Sequence, residues 1–167
     1  MNRRTVFAIT SAAAILPYAG LALAQTPAPA DDGKQPILLA GNFSLLASQI
    51  AVERASSDAV RTFAALEASE QQAIAAAFGS APGNQVAADH AATIEALRAM
   101  QAGAEFDRMY VDSQITAHEQ DRALHAAYAT DGSDPMAKGA SMIAVPAIDS
   151  HLAMLRMIVT ARFPPPA

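Results

Sequence analysis

Phe106-Asp107-Arg108-Met109-Tyr110, continued through Gln114 and His118 to Tyr128, carries the longest unbroken helical pattern in the chain. Phe106, Tyr110, Ser113, Ala117, Leu124 and Tyr128 recur at three-, four- and seven-residue steps and draw one stripe along a helix. Neither glycine nor proline falls between Glu105 and Thr130, so the pattern covers about 26 residues, or roughly 39 Å. A helix of that length must bury its stripe against partners of similar length. The expectation is an all-α bundle.

Downstream, Asp131-Gly132-Ser133-Asp134-Pro135 reads as a turn, with Ser133 or Asp134 as cap and Pro135 at the first helical position. The last helix should run to about Arg162, before Pro164-Pro165-Pro166, with Met142, Val145, Ile148, Leu152, Leu155 and Val159 as its stripe. Pro146 should kink it or divide it in two. Upstream, Gly103 separates off a shorter helix at about Val86 to Gln101, which carries Ile94, Leu97 and Met100, and Ser80 to Asn84 is a loop. A second long helix starts at Ser56-Ser57-Asp58 and ends near Gly79, with Val60, Phe63, Ala64, Ile74 and Phe78 on one face. The first is expected to start near Gly41–Asn42, with Leu39, Phe43, Leu46 and Ile50 on its stripe. Together these predict one bundle domain over 41–162, with four long helices, one extra short helix between the second and third of them, and a proline-rich tail at 163–167.

The N-terminus reads differently. Met1-Asn2-Arg3-Arg4, an apolar run from Val6 to Leu23 and the small residues of Ala22-Leu23-Ala24 have the form of a cleavable secretory signal over 1–24. The alternative, a membrane-spanning helix, is opposed by Pro17 and Gly20 within the run and by the lack of a basic flank after it. The reading predicts export to the periplasm, by the general secretory route in preference to the twin-arginine one, and no membrane span after cleavage. Pro27, Pro29, Asp31, Asp32, Gly33 and Pro36 mark residues 25–40 as a flexible leader. The signal holds two of the eleven basic residues and none of the sixteen acidic ones, so the remaining 143 residues carry nine basic against sixteen acidic, a net −7. Such a chain, without a lysine or arginine cluster, is a poor partner for nucleic acid. It has no cysteine, which removes disulfides and thiolate metal sites.

Chemistry is carried by polar residues that fall on apolar faces. Glu67 and Gln71 lie near the middle of the second helix's stripe, and His151 lies one turn from both Ile148 and Leu155. His118 sits beside its helix's main stripe with Gln114, Asp121 and His125. A carboxylate and two imidazoles from different helices can bind a divalent transition metal inside a bundle, which makes His118, His151 and Glu67 the candidate ligands. In the competing reading each is a partly buried group satisfied by an ordinary hydrogen bond, and no cofactor is bound. His90 and His125 are expected to be solvated. Glu-x-x-His pairs, a His-Glu-x-x-His helix, a Gly-x-Ser-x-Gly elbow and a phosphate loop are all missing from the sequence, so no catalytic residue is assigned.

Phe106-Asp107-x-x-Tyr110-x-x-x-Gln114-x-x-x-His118, then Gly132-Ser133-Asp134-Pro135, then Val145-Pro146-x-Ile148-x-x-His151-Leu152, resembles the exported bacterial domain-of-unknown-function family 4142. Ala51-x-Glu53-x-Ala55-x-Ser57 and Val60-Arg61-x-Phe63-Ala64 fit its N-terminal half, so the resemblance covers roughly 42–158. It implies a ferritin-like four-helix bundle, often labelled an outer-membrane protein. Where the family commonly has a glutamate early in the first helix this chain has Leu46, and where it has a Met-x-x-Asp-His run this chain has Glu67, Glu70 and Gln71. His118 and His151 are retained, and Glu67 stands one turn before Gln71. The favoured expectation is a non-catalytic periplasmic bundle that binds an unidentified protein partner or serves envelope stress. The alternative is a metal-binding ferritin-like protein using Glu67, His118 and His151.

Overall fold

Helix ends in this chain are set by a few identifiable residues. The computed structural model describes residues 33–163, which form α1 (Lys34–Arg54), α2 (Asp58–Ala77), α3 (Ala88–Ala99), α4 (Ala104–Asp131) and α5 (Pro135–Arg162). Residues 1–32, on which the expected signal and most of the expected leader fall, and residues 164–167 of the expected tail lie outside the described part. Asp134 caps α5, its carboxylate accepting from the backbone N–H of Met136 and Ala137 at 2.9 and 3.2 Å, with Pro135 next in line. At the end of α2, Gly79 takes φ +73°, which lets Ser80 N–H donate to the Ala75 carbonyl and Gly79 N–H to that of Ala76.

The hairpins α1–α2 and α4–α5 pack on each other, α1 against α4 and α2 against α5. Ser48 bonds Tyr110, and Ile37 clusters with Tyr128 at the opposite end. Hence α4 runs antiparallel to α1 and parallel to α2, with α2 and α4 on a diagonal. Between them the chain must return the whole length of the bundle, and α3 lies in that crossover, against α1 and α4. A single long crossover is the connectivity of ferritin-like bundles.

Alanine allows the close approach of the hairpins. Ala47, Ala51 and Ala64 are fully enclosed beside Phe43, Val60, Phe63, Phe106, Tyr110 and Leu155 at one end of the core. Ile37, Phe78, Tyr128 and Ala137 close the other end. Polar side chains occupy the part of the core between them, along residues 114–125 of α4.

Three expectations are corrected. The first helix begins at Lys34, seven residues before Gly41, so residues 34–40 belong to the bundle and not to the leader. Pro36 stands in the first turn, where its missing N–H has no intrahelical bond to lose. Lys34 Nζ is held by Asp134 at 2.6 Å and by the Phe78 carbonyl at 3.4 Å, and Ile37 is buried. Next, α5 continues through Pro146 as one helix, so the proline does not divide it in two. Pro146 faces outward, where water can take the carbonyl bond its ring forgoes. Finally, Met142 is 62 % exposed; Ser141 and Ala144 take the inward positions on that turn and bring α5 close to α4. By length and composition α1 and α5 could each cross a membrane, and here both are packed as bundle helices.

Candidate metal centre

The inward row of α4 is Asp107, Val111, Gln114, His118, Asp121, His125 and Tyr128, all buried and spaced alternately by four and three residues. That 3.5-residue spacing keeps a seam facing its neighbours along the whole helix. In this seam most positions are polar. From α2 come Glu67, Glu70 and Gln71, and from α5 comes His151.

Glu67, His118 and His151, picked out separately in the sequence, lie together. Glu67 Oε2 stands 3.3 Å from His118 Nε2 and 3.2 Å from His151 Nδ1, and the two nitrogens are 3.3 Å apart. Glu67 is fully buried, His118 is 3 % exposed and His151 9 %. The surroundings orient each donor. His118 Nδ1 sits 2.8 Å from the Gln114 carbonyl, which can only accept, so Nδ1 carries a proton and Nε2 is the nitrogen turned to the cluster, with a lone pair for a metal when the ring is neutral. His151 Nε2 lies 3.3 Å from Glu70 Oε2, which leaves Nδ1 facing Glu67. Gln71 donates to Glu67 Oε1 at 2.9 Å. Gly41 makes room for it, since a Cβ there would stand 2.7 Å from Gln71 Oε1.

Electrostatics bind the cluster further. Burial pushes the Glu67 carboxyl up, but His118 and His151 overcome that and hold it near 2. Burial likewise pushes His151 down, while Glu67 and Glu70 draw it up to about 9. One turn along, Asp121 is raised by burial to about 7 and His125 is lowered by burial to about 4. Their facing atoms are 3.7 Å apart, and His125 Nδ1 meets Ser141 Oγ at 3.0 Å.

These shifts set a pH profile for the metal-free protein. Glu67, depressed from 4.5 to about 2, contributes stability above pH 4.5 that is lost as pH falls toward 2. His151, raised from 6.5 to about 9, contributes stability below pH 6.5 that is lost as pH rises through 9. Between pH 4 and 6.5 Asp121 weakens and His125 strengthens the fold as pH rises, so the two largely offset each other. Denaturation midpoints measured in chelator should therefore be highest between pH 4.5 and 6.5. They should fall toward pH 9, and His151→Gln should flatten that fall. A midpoint that climbs from pH 6.5 to 9 would contradict the ion pairing.

Other residues depart from expectation. His125 is 2 % exposed and not solvated, because it occupies the inward row of α4. His90 is half-buried and stacks on Phe43 with ring centroids 4.1 Å apart. Asp107, which gave no signal in the sequence beyond its place in a motif, is fully buried. Its carboxylate accepts from Ser56 N–H and Ser57 N–H at 2.9 Å each and from Ser56 Oγ at 2.6 Å, and so fixes the α1–α2 turn. Glu70, in the sequence a departure from the family pattern, stands at the edge of the cluster beside His151.

An all-α bundle with one crossover and a carboxylate–imidazole cluster at its centre defines the class of this protein. The family model described as "Domain of unknown function (DUF4142)" matches residues 23–158, and the chain belongs to that family. No curated protein and no solved structure matches it.

Proposed function

We propose that this protein is an exported helical bundle that holds one divalent transition metal ion on Glu67 Oε2, His118 Nε2 and His151 Nδ1. The observation that carries this reading is the triangle of donors, with edges of 3.2, 3.3 and 3.3 Å. A tetrahedral ion with bonds of about 2.0–2.1 Å holds its ligands about 3.3–3.4 Å apart. The donors also fit in kind. Glu67 Oε2 is buried without an aligned hydrogen bond, and it faces two imidazole nitrogens whose other nitrogens are engaged. Three acceptor atoms packed this closely require a cation among them, either a proton on one of the two imidazoles or a metal. Two imidazoles and one carboxylate suit zinc, and manganese(II) and iron(II) accept the same set. Export through a signal ending at Ala24 is part of the same reading, with the periplasm as destination.

Metal analysis of protein purified without chelator, followed by titration with zinc, manganese(II) and iron(II), tests it. One tightly held ion per chain is expected for the wild type. His151→Gln keeps hydrogen-bonding capacity but is a poor ligand, and should retain less than a tenth of that ion, since removing a ligand exceeds the roughly 10–100-fold losses seen for outer-shell changes. Equal uptake by wild type and variant, or none by either, would end the metal reading.

A further inference from the structure

Three protein donors leave a tetrahedral ion one position short, whereas closed structural sites carry four. Next to the triad, α4 buries polar atoms that have nothing to bond. Gln114 is fully enclosed, and both atoms of its amide lack a hydrogen-bond partner in the structure. Asp121 is 6 % exposed, and its Oδ1 lacks one as well. Both share the inward row of α4 with His118, one turn before it and one turn after. Asp121 also feels the charges of His118 and Glu67. Buried polar atoms are nearly always bonded to protein or ordered water, so the unpartnered amide of Gln114, with both a donor and an acceptor to offer, marks a seat for a polar guest.

We infer that the ion keeps one coordination position for an exogenous ligand, a water molecule exchangeable for a small anion of two or three atoms, seated against Gln114. This rests on the metal reading of the triad. The amide of Gln114 can donate to an anion or accept from water, whereas an ionised Asp121, on the other side of His118, can only accept and repels an anion. The size limit follows from enclosure. Glu67 and Gln114 are 0 % exposed and His118 3 %, whereas His151 is 9 % exposed and its neighbour Glu70 32 % at the side chain. Entry therefore passes beside His151 and Glu70, and only a small ligand fits that way.

Cobalt(II) in place of the native ion makes the test direct, because its visible absorption reports the ligand set. The cobalt-loaded chain is titrated with sodium azide, alongside Gln114→Leu and Asp121→Asn. Expected are one cobalt per chain in all three, azide shifting the wild-type bands saturably, azide affinity weakened about ten-fold in Gln114→Leu, and no weakening in Asp121→Asn, which removes a repelling charge. One cobalt per chain with bands that azide does not move would show a closed site and overturn the inference. So would cobalt loss on Asp121→Asn, which would make Asp121 a ligand, or unchanged azide affinity in Gln114→Leu. A chain that takes up no cobalt would remove the metal reading itself and this inference with it.

Discussion

Zinc at about a thousand times its dissociation constant should raise the melting temperature of the wild-type chain by roughly 10–15 °C. Binding to the folded state alone contributes about 4 kcal/mol at that ratio, and a domain of this size gains about 3–4 °C per kcal/mol. The unfolded chain offers no competing site, because Glu67 and His118 stand 51 residues apart and His118 and His151 stand 33 apart. Glu67→Gln preserves side-chain volume but replaces the anionic donor with a neutral amide. His118→Gln removes the donor whose tautomer the Gln114 carbonyl sets. Both variants should fold and lose the response. The shift should also fade as pH drops, since protons compete with metal for His151, whose pKa is drawn up to about 9. Thermal melts with and without zinc settle the matter, and an unmoved wild-type curve would rule out tight metal binding.

The second large effect is expected far from that cluster. Asp107→Ala should destabilise the fold by about 3–5 kcal/mol, because it strands donors that the carboxylate now satisfies. Three bonds are lost, from Ser56 N–H, Ser56 Oγ and Ser57 N–H. Ser57 is the N-cap residue of α2 and its own side chain makes no capping bond, so Asp107 holds that end of the helix in its place. Asp107→Asn should fall between the two, because it turns one acceptor into a donor facing other donors. Urea midpoints give the answer; a loss below about 1 kcal/mol would mean that water replaces the carboxylate.

How far the sequence revealed this molecule depended on which residues made its patterns. The length of α4 was legible because neither glycine nor proline interrupts it. Glu67 was legible because Val60, Phe63 and Ala64 mark the buried face on which it lies. The inward row of α4 was not, since periodicity registers apolar residues and this row is mostly polar. Phe106, Tyr110 and Ala117 lie beside it and drew the stripe slightly off axis, which left His125 looking solvated. Pro36 and Gly41 obscured the start of α1, as both usually punctuate helices, yet one sits in a first turn and the other makes room for Gln71. Asp107 and Ser56 are 51 residues apart, and nothing local to either residue announces their bond.

The crossover that α3 occupies bears on when an ion can be acquired. Glu67 precedes it, while His118 and His151 follow it. No nascent or unfolded stretch of the chain presents these donors together, so the seat exists only once the two hairpins have closed on each other. On the proposed metal reading, which ion enters is then decided by the metals free in the compartment where folding finishes, because a His/carboxylate set does not by itself overrule the general affinity order of divalent ions. If the chain crosses the membrane unfolded, as the proposed signal implies, the choice of metal is made at its destination, and the metal pool of the cytoplasm has no say.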